Sequence, residues 1–313
     1  MTEPVFSARQ GRPIVVVGSL NMDLVMRTER VPAGGETLAG HDFNTLPGGK
    51  GANQALACAR LGGKVAMIGR VGDDGFGRTL CAGLAQDGVD VAAVLETPAV
   101  TTGVAVILVE DSGQNRILLA AGANGRLTAE DIDRAADLIR GAALLIVQLE
   151  VPLAAVRRAV ALAGAAGVPV LLNPAPAAAL PADLLAQVDL LVPNETEAAL
   201  LTGRPAGGRD AARAAARILH GQVAPGSGRV VLTLGQDGVL VLDEKGERHH
   251  PAARVTAVDT TAAGDTFIGG LAVGLLEGLE LDAAIALGQR AAALCVTRPG
   301  AQPSIPRRSE LVS

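Results

Sequence analysis

Short apolar runs alternate with longer segments of helical period along most of the chain. The first run, Ile14–Val17, has four β-branched residues followed by Gly18, which is typical of a strand buried on both faces of a parallel sheet. The same pattern predicts strands at 65–70, 144–149, 168–172, 188–192 and 229–234, and helices at 55–61, 128–139, 152–165, 264–277 and 281–296. Regular alternation of this kind predicts an α/β fold with a doubly wound, mostly parallel central sheet and helices on both faces.

Two segments depart from this pattern. Between residues 24 and 46 the helical period gives way to short polar–apolar alternation, interrupted by Pro32 and by Gly34 and Gly35. Residues 101–120 alternate around a turn at 111–113, which predicts a β-hairpin. Neither segment is long enough for a core of its own. We therefore expect both, over approximately 21–46 and 99–122, to form a small β-sheet lid on a single domain spanning 1–313.

Composition narrows the possible partners and the cellular location. Of the 313 residues 49% are hydrophobic but only 1% are aromatic, and the net charge of −5 argues against a nucleic-acid partner. The longest uncharged run, 159–182, contains four prolines and therefore fits short elements in series better than a membrane span. No signal-peptide pattern opens the sequence. Cys58, Cys81 and Cys295 lack C-x-x-C spacing, which favours reduced thiols and a cytoplasmic location.

The strongest candidate for chemistry is segment 257–267, Ala-Val-Asp-Thr-Thr-Ala-Ala-Gly-Asp-Thr-Phe. Small residues before an apolar, glycine-rich stretch predict a loop that enters a helix N-terminus, where free backbone N–H groups bind anions. Asp265 would repel such an anion unless it handles a proton. We therefore expect Asp265 to be a general base, while the amides of Ala262, Ala263 and Gly264 stabilise charge on a transferring phosphoryl group. An aspartate helix cap is the alternative.

A glycine-rich segment at 47–54, Pro-Gly-Gly-Lys-Gly-Ala-Asn-Gln, resembles a phosphate loop only superficially. The Walker pattern requires Ser or Thr after Gly-Lys, and Gly51 stands there instead. The glycine amides, Lys50 and Asn53 suit a polyhydroxylated substrate, although an ordinary tight turn has the same composition. Polar residues 19–23 follow the first strand, at the sheet edge where α/β proteins bind ligands.

Asn194 and Glu197 follow another predicted strand. Their i, i+3 spacing puts an amide and a carboxylate on one face of a first helical turn. Such oxygens suit a hydrated Mg²⁺ ion that accompanies nucleotide phosphates. Helix capping by Asn194 explains the same spacing equally well.

These motifs occur together over nearly the whole chain. They are Gly-Ser-Leu-Asn-Met-Asp (18–23), Gly-Gly-Lys-Gly-Ala-Asn-Gln (48–54), Gln-Leu-Glu (148–150), Asn-Pro-Ala-Pro-Ala (173–177), Pro-Asn-Glu-Thr-Glu-Ala (193–198), Thr-Leu-Gly-Gln-Asp-Gly (233–238), Asp-Thr-Thr-Ala-Ala-Gly-Asp-Thr-Phe (259–267) and Gly-Ala-Gln-Pro-Ser (300–304). By these segments the chain resembles the ribokinase and phosphofructokinase-B family of sugar kinases. The Asn-Pro and Gly-Ala-Gln-Pro-Ser segments favour the ribokinases within that family.

The resemblance implies a ribokinase-like fold with site residues for a sugar, ATP, Mg²⁺ and K⁺. The sugar would contact Asn21, Met22, Asp23, Gly49, Lys50, Gly51, Ala52, Asn53, Glu150 and Asp265. ATP would contact Asn194, Thr233, Leu234, Gly235, Gln236, Asp237, Gly238, Gly264, Asp265 and, near the base, Gln289. An activating K⁺ ion would be held by Asp259, Thr261, Cys295, Arg298, Gly300 and Ser304, and Mg²⁺ indirectly by Asn194 and Glu197.

The implied reaction is ATP-dependent phosphorylation of D-ribose at its 5-hydroxyl, in a homodimer paired through the lid. Family members with other substrates, such as deoxyribose, 2-keto-3-deoxygluconate, fructose or a nucleoside, remain alternatives. A dinucleotide-binding oxidoreductase is disfavoured because no G-x-G-x-x-G follows the first strand. The intact Gly264–Asp265 pair argues against a non-catalytic sugar-binding protein on the same fold.

Overall fold

The computed structural model describes residue 9 and residues 11–311. The strands are β1 (Ile14–Val17), β2 (Asn21–Thr28), β3 (Asp42–Gly48), β4 (Val65–Gly72), β5 (Val89–Thr97), β6 (Gly103–Glu110), β7 (Asn115–Ala120), β8 (Leu144–Val147), β9 (Val170–Leu172), β10 (Leu190–Leu191), β11 (Arg229–Thr233), β12 (Val239–Asp243) and β13 (Gly246–His250). The helices are α1 (Lys50–Arg60), α2 (Gly75–Gln86), α3 (Ala129–Arg134), α4 (Ala136–Arg140), α5 (Leu153–Ala165), α6 (Ala182–Leu185), α7 (Glu195–Thr202), α8 (Arg209–His220), α9 (Ala263–Leu276) and α10 (Leu281–Cys295).

The main sheet has the strand order β13-β12-β11-β10-β9-β8-β1-β4-β5. Its pairs are parallel from β11 across to β5, and β12 and β13 are added antiparallel at one edge. The side chains of β1 alternate between two hydrophobic clusters, with Ile14 and Val16 on one face and Val15 and Val17 on the other. Helices cover both faces, so the prediction of a doubly wound, mostly parallel sheet is confirmed.

Helix α9 is rich in glycine because it packs closely against two other helices. A Cβ at Gly269 would overlap Ala57 of α1, and a Cβ at Gly270 would overlap the backbone of Gly288 in α10. Side chains at these positions would force the helices apart. This contact fixes α1 against α9. The N-termini of the two helices carry the predicted site residues Lys50 and Asp265.

A second sheet of four strands has the order β3-β2-β6-β7. Strand β2 pairs antiparallel with β3 and parallel with β6, and β6 pairs antiparallel with β7. Pro47 is tolerated in β3 because this strand lies at an edge of the sheet. The other edge strand, β7, exposes Ile117, Leu118 and Leu119. The predicted small β-sheet beside the main one is therefore present.

Some predicted boundaries were wrong. Helix α1 begins at Lys50 rather than at residue 55, because Gly49 adopts a φ of 89° that ends β3 and turns the chain directly into the helix. The helix predicted over 128–139 is divided at Ala135 into α3 and α4. Its start was predicted correctly, since Thr128 and Asp131 form a capping box.

The apolar pattern gave no prediction for β5, α8 or β13. Strands β5 and β13 are the two edges of the main sheet, and β13 is only partly buried along its whole length. Half-buried edge strands carry a weaker apolar signal than central ones. No helix within the described residues is long and apolar enough to cross a bilayer.

Candidate active site

A cavity of about 210 Å³ lies where β9, β10 and β11 end and α1 and α9 begin. This is the carboxyl edge of the parallel strands, where α/β folds bind ligands. The cavity is lined by Lys50, Asn173, Ala175, Val192, Asn194, Glu197, Thr233, Thr260, Ala262, Ala263, Gly264, Asp265 and Ile268. One cavity therefore brings together Lys50, from the glycine-rich segment 47–54, and the start of α9, which lies more than 200 residues further along the sequence.

Asp265 lies in the first turn of α9 with only 8% of its surface exposed. Its Oδ2 accepts a hydrogen bond from Asn53 Nδ2 at 3.0 Å, and its Oδ1 accepts one from Gln54 Nε2 at 2.8 Å. Both donors come from α1. The N-cap of α9 is Ala262, and no side chain caps this helix, so the helix-cap alternative for Asp265 is wrong.

Lys50 is the cation of the cavity. Burial alone would lower the pKa of its ammonium group, but four carboxylates outweigh this effect and raise the pKa above its ordinary value. These carboxylates belong to Asp265, Glu150, Glu197 and Asp23. Lys50 therefore stays charged and offsets part of the negative charge around it.

Two further carboxylates lie near Lys50. Asp23 lies near the start of β2, and Glu150 follows the end of β8. Glu150 Oε2 accepts hydrogen bonds from Ser19 Oγ at 2.5 Å and from the backbone N–H of Lys50 at 3.1 Å. Asp23 is 8% exposed and accepts no hydrogen bond from the described part of the chain. Burial, together with the charges of Glu150 and Asp265, raises the pKa of Asp23 to about 7. A buried carboxylate without a partner suits donor groups from a ligand.

The start of α9 offers backbone donors to the same cavity. Ala262 adopts a left-handed conformation with a φ of 60°, and Ala263 N–H donates to Thr260 O at 3.2 Å. The N–H groups of Gly264 and Asp265 find no acceptor among the described residues. Apart from its chain neighbours and the backbone of its own helix, no described atom lies within 4 Å of a Cβ built at Gly264, so the space beside this residue is open. Free donors and open space at a helix start fit an anion.

Asn194 and Glu197 form a capping box at the start of α7. Asn194 Oδ1 accepts from the Glu197 N–H at 2.9 Å, and Glu197 Oε2 accepts from the Asn194 N–H at 2.8 Å. Glu197 is 6% exposed, and burial raises its pKa. The capping alternative is therefore present in the structure, and both side chains also line the cavity.

Comparison with known proteins identifies the group to which this arrangement belongs. Residues 12–308 match the model of the pfkB family of carbohydrate kinases. The chain belongs to the pfkB family. This assignment confirms the family that the sequence motifs predicted.

Three relatives of this pfkB kinase illustrate the similarity. A ribokinase from Haemophilus influenzae is 43% identical over 299 residues, which cover 96% of the chain and 97% of the relative. A deoxyribokinase from Salmonella typhi is 42% identical over 294 residues, covering 94% and 95%. The structure of Arabidopsis thaliana ribokinase complexed with ribose and ATP matches with a TM-score of 0.90 at 34% identity, covering 96% of this chain and 97% of that chain. The similarity extends over nearly the full length of each protein and confirms the ribokinase-like fold.

In this pfkB kinase the loop before α9 is tied to the loop after α10. Asp259 accepts hydrogen bonds from the N–H groups of Thr261 and Gly300, each at 2.9 Å. Burial would raise the pKa of Asp259, but a hydrogen bond from Thr261 Oγ1, together with these two N–H bonds and the charge of Arg27, outweighs it and holds the pKa below its ordinary value. The carboxylate is therefore ionised at the junction of the two loops.

The remaining residues of the predicted potassium set lie in the same region. Cys295 Sγ is 3.0 Å from Ser304 Oγ and 3.8 Å from Thr261 O. The Arg298 guanidinium donates to Glu310 at 2.6 Å, so its charge is directed to the C-terminal segment. The structure thus brings the predicted set together, with the Arg298 side chain turned away.

Six predicted nucleotide contacts lie outside the cavity lining, namely Leu234, Gly235, Gln236, Asp237, Gly238 and Gln289. The turn between β11 and β12 exposes Gly235, Gln236 and Asp237. Gln289 Nε2 donates to His250 O at 3.0 Å and to Pro251 O at 3.2 Å. That amide anchors the chain after β13, and its contact with a nucleotide base stays a prediction.

Four buried amides near the site, those of Gln54, Asn124, Gln148 and Asn173, had no role predicted from the sequence. Asn124 Nδ2 donates to Asn21 Oδ1 at 2.7 Å, and Gln148 Nε2 donates to Gln54 Oε1 at 2.6 Å. The sequence signal for all of them is the same: an uncharged polar residue beside an apolar run, which must find a partner if the run is buried. Which partner it finds depends on the tertiary fold.

Proposed function

We propose that the chain transfers the γ-phosphoryl group of ATP to the 5-hydroxyl of D-ribose and releases ribose 5-phosphate and ADP. One observation carries the proposal: the buried Asp265 carboxylate shares a cavity with Lys50, Thr233 and the open N-terminus of α9. Relatives named ribokinase, and a neighbour of known structure complexed with ribose and ATP, support the choice of substrates.

Asp265 accepts the proton of the sugar hydroxyl as its oxygen attacks the γ-phosphorus in line. Asn53 and Gln54 each hold one oxygen of this carboxylate, so its orientation is fixed before substrates bind. Charge on the transferring group is stabilised by the backbone N–H groups of residues 262–264. The Ala263 amide is shared with Thr260 O, whereas the Gly264 amide has no acceptor among the described residues and is free for a phosphate.

The sugar is held on the other side of Asp265. Asp23 and Glu150 accept hydrogen bonds from its hydroxyls, and Lys50 keeps the charge of this acidic group in balance. Asn21 lies beside them, with its amide oriented by Asn124. The other predicted sugar contacts come from 49–53 at the start of α1.

Two metal ions fit the residues present. Magnesium, when bound with ATP, neutralises phosphate charge; Asn194 and Glu197 would hold it through water, because their side chains are already bonded to each other. Potassium, when bound, would fix the geometry of the loop that leads to the amides of α9. The ionised Asp259 and the neighbouring loop 295–304 supply oxygen-rich surroundings for such a cation.

The small sheet is proposed as a lid over the sugar and as the contact between two copies of the chain. Phe43, Ile117 and Leu118 are 53%, 57% and 71% exposed on its strands. Apolar side chains concentrated on one small sheet are typical of an interaction surface. We propose a cytoplasmic homodimer, consistent with an ATP-consuming reaction and with three free cysteines among the described residues.

Deoxyribose is the second candidate substrate, because a deoxyribokinase is nearly as similar to the chain as the ribokinase is. The discriminating residue would be Asp23. A carboxylate that accepts from two neighbouring hydroxyls rejects a sugar that lacks one of them.

A coupled assay of ADP release over a panel of sugars tests the proposal, with Mg²⁺ throughout and with K⁺ or Na⁺ as the monovalent cation. The panel contains ribose, deoxyribose, fructose, 2-keto-3-deoxygluconate and adenosine. We expect the highest kcat/KM for ribose and a clear activation by K⁺. A higher kcat/KM for another member would assign the chain to that substrate, and no ADP release with any of them would refute the kinase proposal.

A further inference from the structure

A chain of buried amide side chains runs behind the Asp265 carboxylate. Gln54 lies in α1 with none of its surface exposed and is not part of the cavity lining. Its Nε2 donates to Asp265 Oδ1 at 2.8 Å and to Asn173 Oδ1 at 3.2 Å. Its Oε1 accepts from Gln148 Nε2 at 2.6 Å. Gln54 thus uses both ends of its amide without touching the space for substrates.

The orientation of these hydrogen-bonded amides is fixed by a backbone carbonyl, which can only accept a hydrogen bond. Asn173 Nδ2 donates to Val192 O at 2.9 Å, which leaves Asn173 Oδ1 facing Gln54. Two acceptors, Asn173 Oδ1 and Asp265 Oδ1, therefore require the NH₂ end of Gln54. Gln148 reinforces this orientation by donating to the opposite end. A reversed Gln54 amide would direct its oxygen at a carboxylate.

Asn53 and Gln54 each donate a hydrogen bond to one carboxylate oxygen of Asp265. Asn53 is also a predicted sugar contact, and its Oδ1 has no partner among the described residues. Gln54 is engaged by protein groups only. A hydrogen bond from a neutral amide favours the ionised carboxylate, and a bond on each oxygen restricts rotation of the group.

We propose that Gln54, oriented by Asn173 and Gln148, is a positioning residue that keeps the Asp265 carboxylate aligned for proton transfer. The inference rests on the proposed role of Asp265 as the general base. Gln54 acts on the proton acceptor alone, so its loss lowers turnover rather than substrate affinity.

The test is Gln54→Met, which keeps the length of the side chain and removes its hydrogen bonds. We expect kcat to fall about tenfold, with both KM values within about twofold of the wild type. The acid limb of the kcat–pH profile should move to higher pH, because the variant lacks a donor that favours the charged form of a carboxylate. Lys50, Asp23, Glu197 and Cys295, the titratable groups that interact with Asp265, are unchanged in this variant.

Two further variants separate positioning from a general loss of packing. Asn124→Leu also removes a buried amide, but one bonded to Leu20 and Asn21 rather than to Asp265, so it should raise the ribose KM without moving the acid limb. Gln148→Met removes the donor that orients Gln54. It should give a smaller decrease in kcat and move the acid limb in the same direction. It also provides the readout if Gln54→Met does not fold, which thermal unfolding monitored by circular dichroism would reveal.

A wild-type kcat and pH profile in Gln54→Met would overturn the inference. So would a decrease in kcat with an unmoved acid limb, because that is the result of a purely structural role. Asp265→Asn measured in parallel keeps the two hypotheses apart. If that variant turns over normally, the proposed general base is wrong; if it is inactive while Gln54→Met behaves as wild type, only the role of Gln54 is wrong.

Discussion

The regions on either side of Asp265, one proposed for the sugar and one for the nucleotide, are built in different ways. On the side proposed for the sugar, Asn21, Asp23, Asn53 and Asp265 are all buried, and all of them except Asp23 are hydrogen-bonded to other side chains. On the nucleotide side, Asn194, Gly264 and the 235–237 turn are exposed, and the free donors belong to the backbone. One side is a set of carboxylates and amides held in place, and the other is an open surface of main chain.

This difference fits the chemistry of the two proposed substrates. A sugar is recognised by individual hydroxyls, which require side chains of defined direction. Phosphates carry spread negative charge, which backbone N–H groups at a helix start can bind without any side chain. Substitutions on the sugar side should therefore change catalysis and specificity through charge and direction, whereas those on the nucleotide side should act mainly through space and local stability.

The largest effect is expected for Asp265→Asn, at the boundary between the two sides. The variant keeps the shape of the side chain but cannot accept the hydroxyl proton, so turnover should fall roughly 100-fold or more. Ribose and ATP should still bind, as measured by isothermal titration calorimetry. Glu150→Gln is the matched control, since it neutralises a neighbouring carboxylate and should raise the ribose KM more than it lowers kcat. Normal turnover in Asp265→Asn would refute the assignment.

Asp23 should give the next largest effect, and it depends on pH. The pKa of about 7 means that wild-type Asp23 takes up a proton as the pH falls through 7, so the ribose KM should rise below that pH. In Asp23→Asn the KM at pH 8 should be about tenfold or more above the wild-type value, because a hydrogen bond to a charged group is lost. Its KM should vary less with pH. Equal KM values for the two proteins at pH 8 would remove Asp23 from the sugar side.

The same carboxylate should limit the stability of the ligand-free protein. Between the ordinary value of 3.8 and about 7, the folded state holds a proton that the unfolded state has lost, so stability falls as the pH rises through this window. The shift corresponds to a cost of up to about 4 kcal/mol above pH 7. Asp23→Asn should therefore raise the Tm by several degrees at pH 8 and have little effect at pH 4. A lower Tm at pH 8 would contradict the pKa.

On the nucleotide side, Gly264→Ala should lower activity with ATP without lowering the stability of the protein. Outside its own helix and its chain neighbours, no described residue lies within 4 Å of the added Cβ. Alanine favours a helix by about 0.5–1 kcal/mol, so the free protein should be slightly more stable. The methyl group would intrude on the bound phosphate, and kcat/KM for ATP should fall about tenfold. Gly75→Ala, also at a helix start with open space around it, is the control for stability alone. Unchanged kcat/KM would mean that the phosphate lies elsewhere.

The fold was predictable from sequence where burial is complete. Strand β1 is apolar throughout because both of its faces are covered, and the glycines of α9 mark where α1 and α10 approach. Strand β13 was missed because an edge strand with partly buried residues carries no such signal. The start of α1 was missed because Gly49, Lys50 and Gly51 look like a loop. Lys50 and Gly51 are helical in a tertiary context that the segment does not reveal, since Gly51 lies against the backbone of Gly18 and Ser19.

The site was predictable as a set of residue types but not as a network. Motifs identified Asp265, Lys50 and Glu197 because charged residues stand out beside glycines and apolar runs. The bond from Gln54 to Asp265 joins residues 211 positions apart and depends on how α1 packs on α9. The raised pKa of Asp23 likewise follows from burial and from its neighbours, neither of which is visible in a segment of sequence.

The smallest effect is expected for Asn194→Ala, because this side chain works mainly on its own helix. Loss of the N-cap should cost about 1 kcal/mol of stability, seen as a small decrease in Tm, and the KM for MgATP should rise only a few-fold. Asn194→Ser keeps a capping oxygen and should restore stability. If both variants instead raise that KM more than tenfold at unchanged Tm, the nucleotide side depends on side chains as the sugar side does, and the contrast between them fails.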